Sequence, residues 1–236
     1  EVVIQLGAIL AVVILFWKQI FPFGKKDNRH PLAKKGILSY VKGDIFVLWI
    51  KILVACIPAA IVGILFNDYF EALFYNSTCV AIALIVFGVA FIVIETVHKN
   101  MHPKVNHLKQ LTMLHVILIG VFQLIAAIFP GTSRSGATIV GALLIGVSRT
   151  VAAEFTFFLA IPVMFGASLL KIVQFGFSFT SMEIILLLTG MLSAFIVSLL
   201  VIKFLMSYIK KHDFKIFGWY RIVLGIVVLL AFHFLL

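Results

Sequence analysis

The sequence predicts an all-α, polytopic membrane protein, and two observations carry that prediction. Hydrophobic residues make up 63% of the chain and charged residues only 12%, far outside the range of globular proteins. Several apolar runs reach about 20 residues, the length at which a helix crosses the hydrocarbon core of a bilayer. The net charge of +10 is gathered in a few loops, so it indicates orientation in a bilayer rather than nucleic-acid binding.

We predict six transmembrane segments and one re-entrant hairpin. The predicted transmembrane segments are Val2–Phe23, Ile45–Phe66, Leu73–Val97, Phe155–Val173, Ile184–Met206 and Gly218–Leu236. Lysine and arginine are concentrated in the loops 24–44, 98–110 and 207–217. The loops 67–72 and 174–183 contain neither residue. By the positive-inside rule, the first three loops face the cytoplasm and the other two face outward.

Residues 111–147 form the predicted hairpin. The chain is inside at 98–110 and outside by 174–183, so it crosses the bilayer an odd number of times in between. The apolar segment Ile139–Val147 corresponds to about 14 Å of helix and is too short to span. The hairpin therefore enters and leaves on the inner side. Its tip, 130–138, lies at membrane depth, where only protein or a water-filled cavity can shield a broken helix.

The predicted tip reads PGTSRSGAT and points to an anion site. An arginine at membrane depth costs about 2.5–3.5 kcal/mol or more unless it faces a polar cavity or a ligand. The hydroxyls of Ser133, Ser135 and Thr138 lie beside the N–H groups of a helix start, which favours phosphate as the ligand. Arg134 supplies a fixed positive charge.

An alternative reading of the tip needs no ligand. The serines would cap a helix, and Arg134 would pair with a carboxylate such as Glu154 or Glu1. Glu154 is also explained by its place near a helix start, where the helix dipole favours an acid. Arg221 either anchors the last span at the inner interface or reaches an acid.

The order of segments indicates an inverted repeat. Residues 1–97 are the remainder of a first repeat, 98–110 a cytoplasmic loop, and 111–236 a second repeat of opposite orientation. Glu1 and Glu154 occupy the same place in each set of three spans. We therefore expect a first hairpin ahead of Glu1, which would make this chain an N-terminally shortened one.

The string P-G-x-S-R-S-x-x-T, with Gln123 upstream and Gly141 and Ser148-Arg149 downstream, resembles the undecaprenyl-diphosphate phosphatase (bacitracin-resistance) family. The likeness extends to Tyr220-Arg221 near the end of the chain. The resemblance implies hydrolysis of undecaprenyl diphosphate to the monophosphate and phosphate, which recycles the lipid carrier for peptidoglycan synthesis. It also implies a multi-pass protein of the bacterial plasma membrane, with a site that opens to the outer face, and it suggests a homodimer.

The resemblance carries over residue by residue to Ser133, Arg134, Ser135 and Thr138. The catalytic candidates are Ser133, Arg134 and Ser135. The candidates for binding the substrate phosphate are Gly131, Thr132, Gly136 and Thr138. The candidates for lining the cavity are Gln123, Glu154 and Arg221.

The family's other motif, an E-x-x-x-E pair followed by a histidine-containing string, does not occur in this chain. The resemblance therefore implies a divalent cation, Mg²⁺ or Ca²⁺, held mainly by residues ahead of Glu1 and by phosphate oxygens. We expect no metal ligands in this chain and no activity from this chain alone. The nucleophile stays open between a serine of the tip, the absent histidine and a water molecule.

A second class of function stays open. Inverted repeats whose hairpins meet at the midplane are typical of transporters, and a phosphate-binding tip suits an anion or a phosphate-bearing lipid. A transporter or flippase of such a ligand is therefore the alternative to the phosphatase.

Overall fold

The computed structural model describes residues 2–24, 31–32, 37–98, 102–175 and 180–235. Glu1 and parts of the predicted loops 24–44, 98–110 and 174–183 lie outside the described residues. The helices are α1 (Gln5–Leu15), α2 (Trp17–Ile20), α3 (Gly43–Leu65), α4 (Asn67–Phe74), α5 (Ser77–His98), α6 (Met113–Ile128), α7 (Arg134–Leu144), α8 (Arg149–Phe175), α9 (Ser181–Ile209) and α10 (Lys215–Leu235).

The prediction of an all-α polytopic membrane protein is confirmed. Five helices of the described chain are long and apolar enough to cross a bilayer. They are Gly43–Leu65, Ser77–Val97, Arg149–Gln174, Ser181–Ile209 and Lys215–Phe232. Each coincides with one of the six predicted transmembrane segments.

The remaining predicted segment, Val2–Phe23, has a different structure. Its apolar helix ends at Leu15, and the backbone of Phe16 leaves the helical region with φ −107° and ψ 19° before α2 begins. The break falls where the Phe16 ring packs on Phe157 and Phe158, with centroid distances of 6.2 and 5.3 Å. Tertiary packing accompanies a helix end that the apolar pattern does not reveal.

The predicted loop 67–72 is helical. The helix α4 begins at Asn67 and packs against α6. The ring of Phe74 lies 4.8 Å from that of Phe129, next to the predicted tip. The absence of lysine and arginine predicts an outward loop here, but it does not predict whether that loop is irregular.

The described chain divides into two compact units. The first unit is Glu1–Leu53 with Phe157–Ser207, and the second is Val54–Thr156 with Tyr208–Leu236. Each unit takes residues from both halves of the chain, so the units are not the two predicted repeats. The division into 1–97, 98–110 and 111–236 stays a prediction.

Within the first unit, α1 packs closely on α9. The backbone of Met191 leaves no room for a side chain at Gly7, and the side chain of Ile4 fills the space beside Gly190. The Ser168 hydroxyl donates to the Val2 carbonyl oxygen at 3.1 Å. These contacts fix the start of α1.

Within the second unit, α5 and α10 make the most extensive helix contact. A Cβ atom at Gly88 or at Gly218 would lie 2.7 Å from the carbonyl oxygen of the other glycine, and one at Gly225 would lie 2.8 Å from that of Ala81. Small residues allow such backbone approach between membrane helices. The helices α6 and α7 also pack on each other, and α7 packs on α5.

Candidate functional site

The turn between α6 and α7 contains the predicted anion site. The helix α6 ends at Ile128 and α7 begins at Arg134, so these helices correspond to the two predicted arms of the hairpin, and the second arm begins earlier than expected. Gly131 has φ +89°, and a Cβ atom there would lie 2.5 Å from the Val80 carbonyl oxygen. This position therefore requires glycine. The re-entrant path through a bilayer stays a prediction.

Ser133 precedes α7 in an uncommon conformation. Its φ of 62° and ψ of 122° make it the positive-φ non-glycine residue of the described chain. Its Oγ accepts the Gly136 N–H at 3.3 Å and lies 3.1 Å from the Oγ of Ser135. A serine in such a region costs about 1–3 kcal/mol and persists only where the surroundings hold it, which is a feature of ligand-binding turns.

The start of α7 presents N–H groups toward the turn. Within the described residues, the backbone N–H groups of Arg134 and Ser135 have no hydrogen-bond acceptor. The helix dipole gives this end of the helix a partial positive charge, and free N–H groups there bind anions. The Ser135 side chain is exposed beside them.

Arg134 is half-buried and has no acidic partner in the part of the chain that the structure describes. It lies within electrostatic range of Cys56. Glu154 is half-buried on α8 and engaged in an interaction of its own. The alternative in which Arg134 pairs with Glu154 is therefore not observed, and pairing with Glu1 lies outside the described residues.

Thr138 faces the interior of the second unit. Its side chain is buried, and its Oγ1 lies 3.0 Å from the Arg134 carbonyl oxygen, 3.1 Å from that of Ser135 and 2.9 Å from the Thr156 hydroxyl. These bonds use the hydroxyl within the protein and tie α7 to α8. Binding of phosphate by Thr138 stays a prediction, and this geometry does not favour it.

Two buried side chains near the turn have a polar atom without a partner in the described chain. They are Thr132, through its Oγ1, and Gln123, through its Nε2. Both residues are at most 2% exposed. Because an unpaired buried polar atom costs about 1–3 kcal/mol, such atoms commonly bind water or a ligand. The place of Gln123 at a polar cavity stays a prediction.

Arg221 of α10 contacts the turn directly. Its Nη1 donates to the Thr132 carbonyl oxygen at 2.9 Å, and its Cζ lies 5.6 Å from the centroid of the Phe91 ring. Within the described residues Arg221 makes no ion pair with an acid, and its place as an anchor at the inner interface stays a prediction.

Glu95 was not expected from the sequence analysis. It is fully buried on α5, and its carboxylate accepts the Arg149 Nε–H at 2.9 and 3.0 Å and the Phe214 N–H at 3.1 Å. These bonds join α5 to the start of α8 and to the chain just before α10. The available signal was a lone carboxylate inside an apolar segment, which demands a partner.

The turn by itself does not fit a divalent cation. The described residues contain no group of three or more histidine, cysteine, aspartate or glutamate side chains close enough to hold a metal ion. Around the turn the polar groups are hydroxyls, an amide and two guanidinium groups, whereas Mg²⁺ and Ca²⁺ prefer carboxylate oxygens. The donor set suits an anion.

Comparisons with known proteins identify the family of this chain. Residues 1–227 match the model of the family described as bacitracin resistance protein BacA. The "Undecaprenyl-diphosphatase" of Desulfitobacterium hafniense is 63% identical over 231 residues, which are 98% of this chain and 80% of that protein.

Two further relatives have similar names. The "Undecaprenyl-diphosphatase 1" of Clostridium acetobutylicum is 62% identical over 98% of this chain and 81% of its own length. The "Undecaprenyl-diphosphatase" of Enterococcus faecalis is 58% identical over 97% of this chain and 80% of its own length. The chain therefore belongs to the bacitracin resistance protein BacA family.

Proposed function

We propose that this chain belongs to a membrane-embedded undecaprenyl-diphosphatase. It hydrolyses undecaprenyl diphosphate to undecaprenyl phosphate and phosphate, and so recycles the lipid carrier. The membership in the BacA family and the relatives at 58–63% identity support an enzyme of this class. No feature of the described residues favours a transporter.

The observation that carries the proposal is Arg134 without an acidic partner at the start of α7. A phosphate seated there meets the free N–H groups of Arg134 and Ser135 and the neighbouring serine hydroxyls. A guanidinium held near the phosphate stabilises the charge that builds on its oxygens in the transition state. The P–O bond to the lipid monophosphate then breaks, and a water oxygen ends in the released phosphate.

The roles within the turn are divided by its geometry. Ser135 is exposed, whereas Ser133 and Arg134 are half-buried. Ser133 shares its hydroxyl between the Gly136 N–H and Ser135, which orients both serines. Gly131, Thr132 and Gly136 shape the turn through their backbone. The nucleophile stays open between a serine of the turn, the absent histidine and a water molecule.

A divalent cation, Mg²⁺ or Ca²⁺, stays a proposal that rests on the resemblance alone. The same holds for the bacterial plasma membrane as the location, for a site that opens to the outer face, and for a homodimer. The membrane setting itself is supported by the five apolar helices of the described chain. Loss of phosphate release on chelation, restored by added Mg²⁺, is the result expected of a cation-dependent enzyme.

The test of the function is phosphate release from undecaprenyl diphosphate by the full-length protein in detergent with Mg²⁺. Arg134→Ala is expected to lower kcat by about 10²–10³-fold, the usual cost of losing one group that stabilises transition-state charge. The control Lys210→Gln removes an exposed cation near α10 and is expected to retain activity. A folded wild-type protein that releases no phosphate would contradict the proposal. Full activity of Arg134→Ala would move the chemistry away from the turn.

A further inference from the structure

The Arg221 guanidinium lies close to the chain on both sides of the unusual Ser133 residue. Its Nη1 donates to the carbonyl oxygen of Thr132, which belongs to the peptide unit directly before Ser133. On the other side, a Cβ atom at Gly136 would lie 3.0 Å from Nη2 of the same guanidinium and 3.3 Å from its Cζ. One planar group on α10 therefore borders the turn from residue 132 to residue 136.

The position of Arg221 is set by the contact between α5 and α10. Its guanidinium lies over the ring of Phe91, a cation–π arrangement that orients the plane. The close approach of Gly88 and Gly218 fixes the distance between the two helices. Arg221 follows Gly218 by three positions and so lies on the same face of α10.

Glu95 adds a second constraint on α10. Its Oε1 accepts the N–H of Phe214, just before the first residue of the helix. The other bonds of this carboxylate go to Arg149 and not to Arg221. Within the described residues, the polar contact of the Arg221 side chain is with the turn and not with an acid.

We propose that Arg221 is a positioning residue for the phosphatase reaction. It holds residues 132–136 in the conformation in which Ser133 keeps a positive φ and Arg134 stands at the start of α7. Without this bond the Thr132–Ser133 peptide unit relaxes, and the serine hydroxyls and Arg134 move relative to the substrate phosphate. This role rests on the proposed function, because it concerns the same site.

The kinetic test compares Arg221→Gln, Arg221→Lys and the control Lys210→Gln in the full-length protein. Because a displacement of about 1 Å at a reacting group costs about 10²-fold, Arg221→Gln is expected to lower kcat at least about tenfold and to change KM less than about threefold. Arg221→Lys recovers part of the loss, since an ammonium still donates to the Thr132 carbonyl. Unchanged kcat would overturn the proposal, and so would a raised KM at unchanged kcat, the signature of direct substrate binding.

A thermal test in detergent examines the contact without turnover. Gly136→Ala crowds the guanidinium, so it is expected to lower the melting midpoint in the wild-type background and to lower it less than half as much in an Arg221→Ala background. If Gly136→Ala and Arg221→Ala shift the melting midpoint additively while the wild-type protein is active, the positioning role is wrong and the proposed function stands. If the shifts of the melting midpoint are not additive but the wild-type protein releases no phosphate, the proposed function is wrong. The positioning role, which rests on that function, is then wrong as well.

Discussion

Two serine–arginine pairs begin consecutive helices of this protein, and their arginines have opposite surroundings. Arg134 begins α7 and Arg149 begins α8. Arg149 is bonded by two of its nitrogens to the fully buried Glu95, whereas Arg134 has no acidic partner in the described chain. The same dipeptide at a helix start therefore forms part of the framework in one place and, in the other, carries a positive charge that no described acid pairs.

The largest effect expected from this comparison is on stability, at the framework pair. Glu95→Gln keeps the shape of the side chain but leaves Arg149 without its counter-charge. Breaking a buried pair in this way costs about 3–5 kcal/mol of unfolding free energy, which thermal or denaturant unfolding in detergent measures.

The matched control for Glu95 is an ion pair at the surface. Asp213 and Lys215 are 3.9 Å apart with side chains 39% and 31% exposed, so Asp213→Asn is expected to cost at most about 1 kcal/mol. Equal losses from Glu95→Gln and Asp213→Asn would show that burial of Glu95 does not distinguish the two pairs.

The second expected effect concerns anion binding. Inorganic pyrophosphate at ten times its dissociation constant is expected to raise the unfolding free energy of the wild-type protein by about 1.4 kcal/mol. Arg134→Ala should abolish this stabilisation. Arg149→Lys should retain it, although that variant is itself less stable. Melting curves of each variant with and without pyrophosphate measure this stabilisation. Equal loss of the stabilisation in Arg134→Ala and Arg149→Lys would contradict the assignment of anion binding to Arg134.

The smallest expected effect concerns the serines. Ser133→Gly removes the strain of the positive φ, which stabilises the protein, and also removes a capping hydroxyl, which destabilises it by less. The free energy of unfolding is therefore expected to rise by about 1 kcal/mol. Ser148→Gly has no such strain to relieve and is expected to lower it by a few tenths of a kcal/mol. Thermal melts of both variants measure the difference. A loss of stability in Ser133→Gly would mean that the turn does not store strain.

The positions of the long helices along the chain could be predicted largely from the sequence. Apolar runs and loop charges give five of the long helices, and the break at PGTSRSGAT gives the turn between α6 and α7. The end of α1 at Leu15 and the helix α4 could not be predicted, because they accompany aromatic contacts between residues distant in the chain, such as Phe16 with Phe158.

The site could be predicted in composition but not in geometry. The residue types of the turn indicate an anion site, yet the pattern does not show that Thr138 is bonded inward to Thr156 or that Ser133 has a positive φ. Glu95 was missed because a single carboxylate changes the mean hydropathy of a long apolar segment very little. Its importance follows only from its contact with Arg149, 54 positions later in the chain.

The bond between Arg221 and Thr132 joins residues 89 positions apart, and this has a consequence for the newly made protein. At a synthesis rate of about 5–20 residues per second, the turn leaves the ribosome roughly 4–18 seconds before Arg221 does. Throughout that interval the growing chain has the complete PGTSRSGAT sequence without its support. Synthesis that stops before α10 would leave in the membrane a protein with every residue of the motif but without the bond between Arg221 and Thr132.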